Sequence, residues 1–184
     1  IGSISKQFTA AAVAMLAAEG KLDLGDTVAE YFPDLTRADD VTLRQLLSHT
    51  AGIRDYWPQD YVPQTMLEPI TTEQLIDRWA RQPLDFEPGT KYQYSNTGYV
   101  VAGAIGEKVS GQALMEFLHG RSFEPLGMES VTDIDQGTLA PGDASGYQRF
   151  ALGPPRLAPK EGKGWLFAAG ALAMTAEDLA KWNV

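Results

Sequence analysis

The sequence predicts a mostly helical chain, and three observations carry that prediction. Residues 7–18 have too little polarity for anything but a buried helix. Thr42 with Gln45, Thr71 with Gln74, and Thr175 with Asp178 stand at the spacing of a capped helix start. Alternating apolar and polar residues, the mark of a half-buried strand, are scarce. Val100-Val101 lies inside a helical pattern, and Trp165-Leu166-Phe167 is too short to set a period.

Taken in order, the first helix runs over residues 3–19. Phe8, Ala11, Ala12, Val13, Met15 and Leu16 make most of its circumference apolar, which suits a central position, and Gly20 closes it. Residues 21–26 form a turn. Residues 42–48 form a short helix with Leu43, Leu46 and Leu47 on its inner face. A long loop rich in proline and aromatics follows over residues 52–70. The helix over residues 71–81 buries Leu75, Ile76 and Trp79 and is ended by Pro83. Residues 87–90 turn and 91–94 are extended. Asn96 is placed to cap a helix that reaches Val109. Gly98, Gly103 and Gly106 lower that helix's propensity and so point to close packing on another backbone, that of the first helix. Gly111 ends it, residues 112–120 form an amphipathic helix, and residues 133–164 read as irregular. A last helix covers residues 175–182.

The 184 residues suit one domain or one and a half, and 44% hydrophobic content supplies a core. A net charge of −9 with no basic cluster argues against a nucleic-acid partner. The absence of cysteine excludes disulfides, thiolate metal sites and a cysteine nucleophile, and leaves the compartment open. The longest apolar stretch, residues 8–18, is too short to span a bilayer and lacks the flanks of a signal peptide. The chain opens at Ile1 without a methionine and stops inside a predicted helix, so the expectation is a piece of a longer protein. Nothing in the pattern speaks to oligomeric state.

Chemistry concentrates at two places. Ser3-Ile4-Ser5-Lys6 sets a serine and a lysine three residues apart, hence on one helix face about a turn from each other. A serine hydroxyl needs a base to become a nucleophile, and a lysine whose pKa is pulled down by burial can be that base. Ser3 read as a plain N-cap fits the same residues. Ser5 is the weaker nucleophile, with Phe8 three residues beyond it. Tyr94-Ser95-Asn96 falls at a turn where side chains project. A tyrosine there can relay a proton, its phenolate stabilised by a nearby ammonium, and an asparagine can donate its amide N–H to a substrate carbonyl. Packing for Tyr94 and capping for Asn96 are the plainer alternatives. His49 reads as a buried, hydrogen-bonded structural residue and His119 as solvated; two distant histidines make no metal site. Tyr56, Trp57 and Tyr61 either line a substrate cleft or fold onto the core.

Together, Ser3-x-x-Lys6 and Tyr94-x-Asn96 resemble the serine β-lactamase and penicillin-binding protein superfamily. The resemblance is to its class C-like branch, with D-alanyl-D-alanine carboxypeptidases, D-amino-acid amidases and family VIII esterases. Residues 43–53 (Leu-Arg-Gln-Leu-Leu-Ser-His-Thr-Ala-Gly-Ile), Phe86-Glu87-Pro88-Gly89, Glu124-Pro125-Leu126-Gly127-Met128 and Gly170-Ala171-Leu172 extend the likeness over essentially the whole chain. The resemblance implies an α+β β-lactamase/transpeptidase-like fold, of which this chain would hold the nucleophile helix (1–20), a mostly helical part (21–164) and a return toward the sheet domain (165–184), with most of the antiparallel sheet missing. It implies an acyl-enzyme on Ser3, proton transfers shared by Lys6 and Tyr94, substrate orientation by Asn96, and an oxyanion donor in the Ser3 N–H. No metal or organic cofactor is implied. The substrate would be a small molecule: a β-lactam, a D-amino-acid peptide or amide, or a short ester. The carboxypeptidase and esterase side is favoured by the Leu-Leu-Ser-His-Thr segment, and a periplasmic or secreted setting by the family. The family's third motif, Lys/His-x-Gly on a strand, has only a superficial echo in Lys160-Glu161-Gly162, which lacks the hydroxyl residue and comes too early. A non-catalytic fragment or binding scaffold of the same fold is the competing reading.

Overall fold

The computed structural model describes residues 1–59, 61–137 and 140–183. Position 60 of the predicted loop and positions 138–139 of the predicted irregular segment lie outside the described residues.

The predicted first helix is split. Gly2–Ile4 is a 3₁₀ turn, and the α-helix proper, α1, is Ser5–Ala18. Ser3 therefore sits in the tighter turn, exposed, while Lys6 one turn on is buried. Gln7 and Ala14 face outward, and Phe8, Ala12, Val13 and Leu16 go fully into the core. Each large apolar side chain buried this way contributes about 1.5–3 kcal/mol.

Two capping boxes form as the spacing predicts. The Thr42 hydroxyl accepts from the Gln45 N–H and the Gln45 carboxamide accepts from the Thr42 N–H, which starts α2, Leu43–Leu47. Thr71 and Gln74 repeat this ahead of α3, Thr72–Leu75, which continues as a π-helical turn over Ile76–Ala80. The helix α4 is Asn96–Ser110, and its cap is Ser95 rather than Asn96: the Ser95 Oγ accepts from the Gly98 N–H at 3.2 Å. The physical reason is backbone geometry. Ser95 is extended (φ −144°, ψ 117°) whereas Asn96 is already helical, so the Asn96 carboxamide is released from capping. Beyond Gly111, α5 is Leu114–Leu118 and passes into a π-helical turn, His119–Phe123. The helices α6, Phe167–Gly170, and α7, Ala176–Trp182, complete the set.

The core forms where α1, α4 and α6 meet. Val100, Val101, Ala102 and Ile105 of α4 are fully buried. The glycines of α4 do mark close approach, but not to α1. A Cβ on Gly103 would lie 2.3 Å from the Ala168 Cβ of α6, and one on Gly98 would lie 3.5 Å from the Leu46 carbonyl oxygen of α2; Gly106 has nothing within 4 Å. On the α6 side the approach is made by the small side chain of Ala168. Gly103→Ala is accordingly expected to destabilise the fold by about 1–3 kcal/mol through overpacking, read as a lowered urea midpoint. An unchanged midpoint would mean that α6 shifts freely.

Among the described residues the strands are all two residues long. Thr132–Asp133 (β1) pairs antiparallel with Leu172–Ala173 (β4), and Tyr147–Gln148 (β2) with Arg156–Leu157 (β3). The second pair corrects the reading of residues 133–164 as wholly irregular; a two-residue strand carries no legible period. The long loop is held down by residues 162–165, through the Ile70 N–H on the Lys163 carbonyl (2.9 Å), the Gly162 N–H on the Met66 carbonyl (2.7 Å) and the Trp165 indole on the Glu68 carbonyl (2.8 Å). No helix among the described residues is long and apolar enough to cross a membrane.

Candidate active site

The i, i+3 spacing of Ser3 and Lys6 brings the Lys6 Nζ to 3.1 Å from the Ser3 Oγ. Lys6 is 5% exposed. Its Nζ also donates to the Asn96 Oδ1 (2.7 Å) and to the Ala169 carbonyl (2.6 Å). Burial pulls its pKa down to about 8, against the opposing pull of the Asp55 carboxylate. A neutral amine keeps two N–H donors and one lone pair. As the ammonium, Nζ donates to all three oxygens; once a proton is lost, an amine that keeps its two shorter contacts, to Asn96 and Ala169, turns its lone pair to the Ser3 hydroxyl. The Ser3 N–H lies in the first turn, where no helical carbonyl precedes it as a partner.

Tyr94 reaches the same hydroxyl from the opposite side of the sequence, its Oη 2.6 Å from the Ser3 Oγ. Burial raises the phenol pKa more than its hydrogen bond with Ser3 lowers it, and the Lys6 ammonium lies over the ring, 4.9 Å from its centroid, rather than at the oxygen. Tyr94 is thus biased toward the phenol form. His49 holds it in place. His49 takes a left-handed backbone (φ 59°), which aims its Nδ1 to accept from the Ser95 N–H at 3.1 Å and stacks its ring 4.5 Å from that of Tyr94. Burial, and Lys6 nearby, lower the His49 pKa and keep this acceptor unprotonated.

The structure therefore brings Ser3, Lys6, Tyr94 and Asn96 together. One Asn96 N–H is taken by the Asp55 Oδ2 at 3.2 Å, leaving a single amide N–H for the cleft. Ser5 is excluded from the cleft: it is 2% exposed, and its Oγ accepts from the Leu172 N–H. Lys160 lies outside the cluster and donates to the Ile134 and Gly137 carbonyls. His119 is exposed. Among the described residues no three His, Asp or Glu side chains gather as a metal site.

Asp55 and the Ala169 carbonyl are parts of the cluster that no local motif announces. Neither sits at a fixed short spacing from Ser3 or Lys6, and only the adjacency of Asp55 to the His49-Thr50-Ala51-Gly52 segment hints at a shared location. The cluster opens into a cleft of about 480 Å³, walled by Trp57, Tyr61, Tyr147, Pro159 and Leu166. Both readings of the loop aromatics hold in part. Trp57 and Tyr61 line the cleft, while Tyr56, 5% exposed, also lines it but is folded onto the core with its hydroxyl on the Trp165 carbonyl.

A sequence model of the family described as Beta-lactamase matches residues 1–184. The chain is 34% identical over 133 residues to Penicillin-binding protein 4* of Bacillus subtilis (strain 168), covering 71% of this chain and 29% of that protein. It is 28% identical over 190 residues to Protein flp of Staphylococcus aureus (strain MW2), covering 99% of this chain and 37% of that one. Among solved structures, a D-stereospecific amidohydrolase from Streptomyces sp. superposes with a TM-score of 0.89 at 28% identity, over 100% of this chain and 58% of that one. The D-amino acid amidase of Ochrobactrum anthropi SV3, complexed with L-phenylalanine amide, gives 0.81 at 30% identity, over 98% and 53%. The chain thus spans about a third of the length of these curated relatives and little more than half of these solved chains.

Proposed function

The chain belongs to the beta-lactamase family, has the β-lactamase/transpeptidase-like fold in its mostly helical part, and on that premise we propose that it is a serine hydrolase that forms an acyl-enzyme on Ser3. One observation carries the proposal: a buried lysine, also bonded to Asn96 and Ala169, lies within hydrogen-bond distance of a serine hydroxyl that also meets the Tyr94 phenol. In the reaction, the Lys6 amine takes the Ser3 proton as Oγ bonds to the substrate carbonyl carbon. The Ser3 N–H steadies the developing oxyanion. The bond to the leaving nitrogen or oxygen then breaks, and the proton held by Lys6 passes, with Tyr94 as relay, to that leaving atom. Water attacks the ester in the same way and frees Ser3.

The substrates proposed are carbonyl compounds of the β-lactam, D-amino-acid peptide or amide, or short-ester type. The aromatic wall of Trp57, Tyr61 and Tyr147 suits an apolar acyl group. The test is intact mass after incubation with a fluorophosphonate, with a fluorescent penicillin in parallel. The expected result is one adduct, mapped to Ser3 and absent from Ser3→Ala. An adduct that persists in Ser3→Ala overturns the assignment. A folded protein that takes no adduct supports a binding scaffold instead.

A further inference from the structure

We propose that Asp55 is the positioning residue of this site, the group that sorts the two ends of the Asn96 carboxamide so that Oδ1, and not Nδ2, faces Lys6. The inference rests on the reading of Ser3 and Lys6 as an acylating pair. Asp55 Oδ1 accepts from the Asn96 backbone N–H at 3.0 Å and from the Trp57 N–H at 3.2 Å, and Oδ2 accepts from the Asn96 Nδ2 at 3.2 Å. A carboxylate only accepts, so the amide can present only its NH₂ end to it. Its oxygen end is then left for the Lys6 Nζ, at 2.7 Å.

The flipped amide would be doubly wrong. Its oxygen would face the carboxylate, and its N–H would face the N–H donors of Lys6. Lys6 would lose one of the two short contacts that aim its lone pair at Ser3. Asp55 therefore acts on Ser3 through two intermediaries, Asn96 and Lys6. It has a second effect through charge. The groups that face Lys6 are the Ser3 hydroxyl, the Asn96 carboxamide, the Ala169 carbonyl, the rings of Tyr94 and Tyr99 (4.9 and 5.6 Å from Nζ), the neutral His49 and Asp55. Of these only Asp55 supplies a negative charge, which favours the ammonium against the effect of burial.

Asp55→Asn tests both effects in the whole chain. The carboxamide it introduces can still accept from the Asn96 N–H, but it sets NH₂ against NH₂ across the second contact. Acylation by a fluorophosphonate, followed against pH, should slow on the order of a hundredfold at its plateau, the scale of a small misplacement of a reacting group. The midpoint of the pH limb should move down, by about half a unit or more, because removal of a nearby opposite charge disfavours the ammonium. Asp55→Glu keeps the charge and should keep the midpoint while losing rate. It also serves if the asparagine variant fails to fold, a Glu variant with a displaced midpoint then counting against the proposal. The Lys6 side chain can be titrated directly by the NMR shift of a ¹³C label at Cε, its signal identified by its loss in Lys6→Met.

Slower labelling and a downward Lys6 titration in Asp55→Asn, with the urea midpoint near that of the wild type, is the expected result. Labelling of a folded Asp55→Asn at the wild-type plateau rate, or slowed only in step with lost stability, overturns the positioning role, and an unmoved Lys6 titration overturns the charge effect. If the wild type takes no label at all, the acyl-enzyme reading fails, while the NMR titration still decides whether Asp55 governs Lys6.

Discussion

Lys6→Ala is expected to slow the acylation of Ser3 by about a thousandfold, in the range of a removed general base. Lys6→Arg should not restore it, because a guanidinium with a pKa above about 12 cannot surrender its proton. The wild-type rate should rise with pH through about 8, where the Lys6 ammonium gives way to the amine, and then level off. That limb should vanish in both variants. Labelling of Lys6→Ala at the wild-type rate would remove Lys6 from the base role. Stability carries the same signature. The folded pKa of about 8 lies below the ordinary value of 10.5, so between those two values the unfolded chain binds more protons. Folding stability contributed by this group therefore rises as pH climbs from 8 to 10.5, and below 8 burial of the ammonium is a constant penalty. Relative to Lys6→Met, the wild type should gain on the order of 3 kcal/mol at most across that window. Urea midpoints of the two proteins measured at about pH 7 and about pH 10, on either side of most of the window, would read the gain directly. A constant difference would contradict the depressed pKa.

What could be read from the sequence is what is encoded over three or four residues. The Ser3–Lys6 contact, the capping boxes at Thr42 and Thr71, and the cap of α7 by Thr175 all follow from i, i+3 geometry that any helix imposes. Asn96 shows the limit of such reasoning. Its place at a helix start was legible, but which of Ser95 and Asn96 caps depends on one ψ angle that the spacing does not encode. The glycines of α4 signalled close packing, yet their partners are residues 46 and 168, distant in the chain. The acceptors around Lys6 show the same thing more sharply. Ala169 lies 163 residues away and takes part through its backbone oxygen, which every residue has, so no side-chain pattern can announce it. Asp55 is no different from other loop carboxylates until the chain places it beside Asn96, 41 residues on.

The Ala169 carbonyl is itself held in place from afar, and this yields the second large effect. Asp135 is 3% exposed, and its carboxylate accepts from three backbone N–H groups of one turn: Gly164 (3.0 Å) and Leu166 (3.2 Å) on Oδ1, and Phe167 (2.9 Å) on Oδ2. It thereby caps α6 from 32 residues away. The turn needs such an anchor. Phe167 is held at φ 29°, and Gly164 at φ 93° packs so tightly that a Cβ would fall 1.7 Å from the Ile70 carbonyl oxygen. Asp135→Ala should lower stability by about 2–3 kcal/mol, because three donors of a partly buried turn lose their shared partner. Asp135→Asn should fall between, since its oxygen can serve Gly164 and Leu166 while its NH₂ confronts the Phe167 N–H. The effect should reach the site as well. The carbonyls of Ala168 and Ala169 in α6 accept from Thr9 and Lys6, so a loosened α6 withdraws one of the two short contacts that orient Lys6. Labelling of Ser3 should therefore slow in Asp135→Asn even in buffer without urea, where the variant is still folded. Unchanged urea midpoints would refute the anchor. A lowered midpoint with wild-type labelling would show that α6 keeps its position at the site without Asp135, and that the carboxylate serves the fold alone.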